Sequence, residues 1–131
     1  MDIAVKVQAA AEDKFTIECS SGAKLRVDKS KEGSIPEGPN PLELFLSSLA
    51  ACVGVYAKRY LTTHAISFNE LTINAHALFS QDSPNRLVNI QVRVHTDAKL
   101  DDKKEVFLRF IRGCPVHNTV IHTKEVDINI A

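Results

Sequence analysis

Apolar and polar residues alternate through Ile3–Ala9 and again through Phe15–Cys19, and Ser20-Ser21-Gly22 turns the second run into Lys24–Asp28. A period of two with this punctuation predicts a three-stranded meander, with Phe15, Ile17, Leu25 and Val27 on its inner face. Residues 29–40 are polar and rich in Gly and Pro, which predicts a loop. The period then changes. Asn40 can cap a helix, Pro41 suits its first position and Glu43 stands three residues after the cap. Apolar positions 42, 45, 46, 49, 53 and 56 keep helical spacing to about Leu61. At ~1.5 Å per residue such a helix is roughly 30 Å long.

Alternation returns in Phe68–Phe79 and Leu87–His95, joined by Ser83-Pro84-Asn85, which predicts a long hairpin with Val88, Ile90, Val92 and Val94 on one face. Asp101-Asp102 opens a second helix at its positive end, and Val106, Phe107, Phe110 and Ile111 mark its buried stripe. Gly113 ends that helix, Cys114-Pro115 begins a short third one to about His122, and Glu125–Ile130 reads as a closing strand. The order βββ-α-ββ-αα-β is an α+β arrangement of antiparallel strands with helices to one side, expected as one domain over residues 1–131.

Composition narrows the partners. With 131 residues, 44% hydrophobic and 24% charged, the chain can bury a core. Sixteen basic and sixteen acidic side chains cancel, leaving no electrostatic footprint for nucleic acid or an anionic membrane surface. No stretch is expected to reach the ~18 apolar residues of a membrane span. The opening residues Met1–Lys6 carry no basic and apolar leader, so a cytoplasmic location is expected. In a reducing compartment, three cysteines read as core residues, metal ligands or redox thiols before structural disulfides.

Two of the cysteines stand out. Ser47–Gly54, which includes Cys52, is small in side-chain volume for the centre of a helix, inviting close approach of a second helix or of the same helix from another copy. Gly54 costs about 1 kcal/mol of helix stability relative to Ala, which close packing would offset. On the helix alone, Cys52 reads as a small buried hydrophobe. Cys114 lies at the start of the last helix, where free N–H groups and the dipole favour thiolate, and Arg112 lies two residues upstream. Local sequence therefore makes Cys114 the more acidic thiol, against the alternative of an inert helix-start cysteine. Cys114, His117 and His122 have partly ligand-like spacing. However, the two histidines are about 140° apart around a helix, so they read as solvated and no metal or cofactor is expected. Cys19 reads as packing or exposed edge, and Tyr56 and Tyr60, one turn apart, as a packing stripe.

Taken together, Gly38-Pro39-Asn40-Pro41-Leu42-Glu43-Leu44-Phe45-Leu46-Ser47-Ser48-Leu49-Ala50-Ala51-Cys52 and Gly113-Cys114-Pro115-Val116-His117-Asn118-Thr119 resemble the two motifs of the osmotically inducible protein C and organic hydroperoxide resistance (OsmC/Ohr) family. The likeness extends over essentially the whole chain and is closer to the OsmC-like branch. It implies an OsmC-like fold in an intertwined homodimer, with sites at the subunit interface. It also implies thiol peroxidase chemistry. Cys52 would attack an organic hydroperoxide and become a sulfenic acid, Cys114 would resolve it as a Cys52–Cys114 disulfide, and an external dithiol of lipoyl type would reduce that bond.

The chain departs from the peroxidase pattern at two places. Leu42 occupies the position after Pro where that branch has an acid, and Glu43 follows one residue later. Nine residues before Cys52, Glu43 is ~13 Å away along the helix, so it reads as a helix-start acid ahead of a catalytic one. His117 stands in place of Ser in the second motif, where an imidazole can act as a base or pair with a thiolate. Candidates for an activating arginine are Arg26, Arg59 and Arg112. The alternative to a peroxidase is a non-catalytic dimer that binds a small molecule or senses redox state.

Overall fold

In the computed structural model, which describes every residue except Lys31, the three N-terminal runs form an antiparallel sheet of β1 (Val5–Ala9), β2 (Lys14–Cys19) and β3 (Lys24–Asp28). The register pairs Val7 with Ile17, Ile17 with Leu25 and Phe15 with Val27, so one face is wholly apolar. Only Ile17 and Val27 are buried. Phe15 and Leu25, expected inside, remain 41% and 37% exposed, and Val5 and Val7 more so.

The loop after β3 is tied back onto that strand. The Asp28 carboxylate accepts from the backbone N–H groups of Ser30 and Glu37, each at 2.8 Å, and from the Ser30 hydroxyl. The Ser30 hydroxyl and these amides hold the Asp28 carboxyl below its ordinary value. Asp28 N–H donates to Pro39 O at 3.0 Å. This return brings Gly38 so close to β3 that a Cβ there would lie 1.9 Å from Arg26 O. Only glycine fits.

The long helix α1 runs Pro41–Thr63. Asn40 Oδ1 accepts from Glu43 N–H at 2.9 Å, and Glu43 Oε1 accepts from Asn40 N–H at 3.0 Å, a reciprocal capping box. At its other end Ile66 N–H donates to Leu61 O and Ala65 N–H to Thr62 O, with Ala65 at φ +53°. That is a Schellman ending with alanine where glycine is usual.

Contacts divide the chain into two compact units, residues 1–46 and 47–131. The second holds most of α1, the hairpin β4 (Leu71–Phe79) and β5 (Leu87–Thr96), a 3-10 turn at Asp101–Lys103, α2 (Lys104–Ile111) and α3 (Pro115–His122). Its core joins Val53, Ala57, Tyr60 and Leu61 of α1 to Phe107 and Ile111 of α2, with Ile73, Val92 and Val94 of the hairpin packed against them. A bulge near Ala77, with Asn89 at φ +53°, sets Val88 opposite Leu78 and takes it off the face of Val92 and Val94.

Two expectations need correction. The alternating segment Glu125–Ile130 is not a strand: among the described residues it has no ladder partner, and Val126, Ile128 and Ile130 are 77%, 88% and 99% exposed. Alternation gives a segment the face of a strand but cannot supply the neighbouring edge it must bond to. In addition, α1 is long and apolar enough, by length and composition, to cross a membrane, with a mean hydropathy of 1.2 over 18 residues. In the structure one stripe of that helix is buried in protein core.

Gly38→Ala is expected to destabilise the first unit by about 1–3 kcal/mol, the range for overpacking against a rigid neighbour. Denaturant unfolding followed by far-UV dichroism checks it, and an unchanged midpoint would remove the close-approach argument.

Candidate functional site

The small stretch of α1 does lie under a close neighbour, and the neighbour is a strand. A Cβ on Gly54 would come within 3.2 Å of Ile73 Cγ1 in β4. This contact offsets the helix cost of Gly54, and Cys52, in the same turn of α1, packs against the core of the second unit. Cys52 is partly exposed there.

The second cysteine is built into the joint between α2 and α3. Cys114 is the N-cap of α3, in extended conformation with Pro115 behind it at the first helical position. Its Sγ accepts from His117 N–H at 3.3 Å, and its carbonyl accepts from Asn118 N–H at 3.0 Å. Thus a thiol does the work usually given to a Ser or Asp oxygen. The side chain is fully buried, and Cys52 packs against the same core, near enough to raise the Cys114 pKa, so two cysteines 62 residues apart in sequence become neighbours.

That burial overturns the expectation that Cys114 is the more acidic thiol. Removal from water pushes its pKa above the ordinary 9.0, the N–H groups of His117 and Val116 pull it back only in part, and Cys52 raises it again. A helix N-terminus favours thiolate where the sulfur can stay solvated. Here it cannot.

Of the other candidates, Arg112 lines the cleft described below, and the rest have partners. His117 Nδ1 lies 2.8 Å from Arg112 O, so this nitrogen carries the hydrogen and donates. Arg59 lies over the Tyr56 ring at 5.1 Å. The Glu43 carboxylate is held in the capping box. Arg26 pairs with Glu37 at 2.8 Å, and Lys14 approaches the same carboxylate at 3.5 Å; the Arg26 hydrogen bond is the main cause of a lowered Glu37 pKa. Glu37 was not singled out in the sequence, where it is one polar residue in a loop. Its only signal is a position that lets the loop run back beside β3. Tyr60 is buried, stacked on His64 at 4.0 Å and edge-on to Phe107, consistent with a packing stripe.

Beside the thiols, the second unit carries a cleft of about 690 Å³. Leu49, Val92 and Phe107 contribute to its apolar floor, and Arg93, Lys104 and Arg112 its cations, with no carboxylate in the lining. No three His, Cys, Asp or Glu side chains converge on a metal-sized space among the described residues.

The model of the OsmC-like protein family matches residues 30–130. A hydroperoxide reductase of Mycoplasma genitalium is 31% identical, over all of this chain and 96% of its own length. Among solved structures, an OsmC-like protein from Mycoplasma pneumoniae superposes with a TM-score of 0.80 at 20% identity, covering 93% of this chain and 89% of the other. The organic hydroperoxide resistance protein OhrB of Bacillus subtilis gives 0.65 at 19%, covering 93% and 92%. The α+β fold with antiparallel sheets and three helices is the fold of these structures.

Because the folded-state pKa of Cys114 lies above its unfolded value, the folded chain holds this proton longer. Stability is then unaffected well below the ordinary value and falls as pH rises through it. Reduced wild type is therefore expected to lose more thermal stability between about pH 8 and pH 10 than Cys114→Ala. Parallel losses in both proteins would contradict the buried-thiol account.

Proposed function

The chain belongs to the OsmC-like protein family, and on that premise we propose that it is a cysteine-based peroxidase reducing organic hydroperoxides. The observation that carries the reading is the pairing, in one core, of a partly exposed thiol with a buried one. Of these two thiols, only Cys52 is open to hydroperoxide. Its thiolate attacks the distal oxygen, the O–O bond breaks, and the departing alkoxide takes a proton from solvent to leave as alcohol, with Cys52 now a sulfenic acid. Before that step Cys114, kept protonated by its burial, can donate its S–H to the Cys52 thiolate. Afterwards the Cys114 sulfur attacks the Cys52 sulfur, the S–O bond breaks, and water leaves with the Cys114 proton, giving the disulfide. An external dithiol, of lipoyl type or similar, returns two electrons. This cycle needs a reducing compartment, and the cytoplasm is the location proposed. The relatives named hydroperoxide reductase support the substrate class.

The same reading has the chain working as a homodimer. Its support is the open apolar face of the β1–β3 sheet and the uncovered alternation of Val126, Ile128 and Ile130. These are surfaces that a second copy would cover. A second function remains attached to one observation: the apolar cleft with a cationic lining suits a binding module for an amphipathic small molecule.

Titration of the reduced protein with cumene hydroperoxide is expected to remove two thiols per chain and leave a Cys52–Cys114 bond. Cys52→Ser should lose turnover, and Cys114→Ser should accumulate a sulfenic acid that dimedone traps. Unchanged thiols under excess peroxide would defeat the peroxidase reading and favour the binding module. Sedimentation equilibrium should give about 29 kDa, twice the 14.5 kDa chain, and Val7→Lys should shift the protein towards monomer. A wild type that stays monomeric at micromolar concentration would overturn the dimer.

A further inference from the structure

We propose that His117 is a positioning residue of the thiol pair, with its ring closing the α2–α3 joint so that the Cys114 sulfur stays against Cys52. The last carbonyls of a helix lack intrahelical donors. Just beyond α2, the carbonyls of Arg112 and Gly113 are taken by side chains from the start of α3. His117 Nδ1–H donates to Arg112 O at 2.8 Å and Asn118 Nδ2 to Gly113 O at 3.2 Å. Cys114 lies between these anchor points. The same residue, His117, also gives its backbone N–H to Cys114 Sγ at 3.3 Å. One side chain thus ties the residue two before Cys114 to the residue three after it, and its own amide holds the sulfur.

A carbonyl oxygen only accepts, so Nδ1 must be the protonated nitrogen of the neutral ring. The clasp therefore asks for a donor two atoms beyond Cβ. Asparagine offers an amide N–H at that reach, glutamine one atom too far, and alanine none. The proposal rests on the peroxidase reading for what the disulfide does, but not for whether it forms.

The test is peroxide-independent. Reduced protein is equilibrated with oxidised and reduced dithiothreitol: Cys52 and Cys114 give up two electrons and two protons, their S–S bond forms, and the cyclic disulfide of the reagent opens to its dithiol. The equilibrium reads the effective concentration of one thiol at the other. Losing a hydrogen bond of ordinary net strength should lower it about three- to tenfold in His117→Ala and His117→Gln, while His117→Asn stays within about twofold of wild type. A role in general stability alone would not separate Asn from Gln, and if the Ala protein does not fold, that comparison decides. Equal values in all four proteins, or Asn as low as Gln, would overturn the clasp. Failure of the peroxidase reading registers separately, as wild-type thiols that form the disulfide with dithiothreitol but ignore cumene hydroperoxide.

Discussion

The thiol pair depends on the burial of one stripe of α1 in the second unit. Val53, Ala57, Tyr60 and Leu61 are the helix side of that core, and the hairpin and α2 are the other side. Full burial of one such aliphatic side chain is worth about 1.5–3 kcal/mol, so the rotation of α1 about its axis is strongly determined. Once that rotation is set, Cys52 has no freedom left. It sits one residue before Val53, at the margin of the stripe, half open to solvent, and Gly54 admits Ile73 on the next position. The small residues around Cys52 are then a packing requirement first, and their chemical use follows from it.

The same core decides which of the two sulfurs is exposed. Cys114 caps α3 three residues after α2 ends at Ile111, and its backbone goes inward with Ile111 into the same core. The sulfur goes with it. Two opposing effects then meet at one atom: helix-start amides, which favour the anion, and loss of water, which disfavours it. A single hydrogen bond to a charged acceptor is worth about 1.5–3 kcal/mol, whereas an ion taken from water costs several. Burial wins, and Cys114 is held as a thiol. The asymmetry this produces is useful to a resolving cysteine. A thiol that is hidden from oxidant and rests against its partner is spared reaction until the partner has been oxidised.

Much of this was legible in the sequence where the signal is local. The caps of α1, the N-cap and proline of α3 and the alternation of β1 to β5 all depend on neighbours within a few residues, and they appear where the pattern puts them. What failed was non-local. Glu125–Ile130 has the alternation of a strand but no edge to join. Phe15 and Leu25 face the right side of their sheet but are only half covered. The acidity of Cys114 was misread because sequence shows the helix start and not the surrounding core. Glu37 was passed over because its partner Arg26 comes from a strand eleven residues earlier. For the site itself, the motifs drew attention to both cysteines, but only the fold brings them to the same core.

The first two of these failures share a physical origin: the sheet face and the terminal alternation are apolar surfaces that stand open in the single chain. Val5, Val7, Val126, Ile128 and Ile130 are each more than half exposed, and covering apolar surface is worth about 25 cal/mol per Å². The proposed homodimer would cover these residues, and it would account for patterns such as Val5-Lys6-Val7 and Val126-Asp127-Ile128 that are as regular as those of the hairpin. It also bears on the thiols. Cys52 is partly exposed in one chain, and a covering copy would narrow its access to peroxide while leaving the buried Cys114 unchanged. The solvent access of the reactive sulfur would then be set by association, and its partner sulfur by the fold.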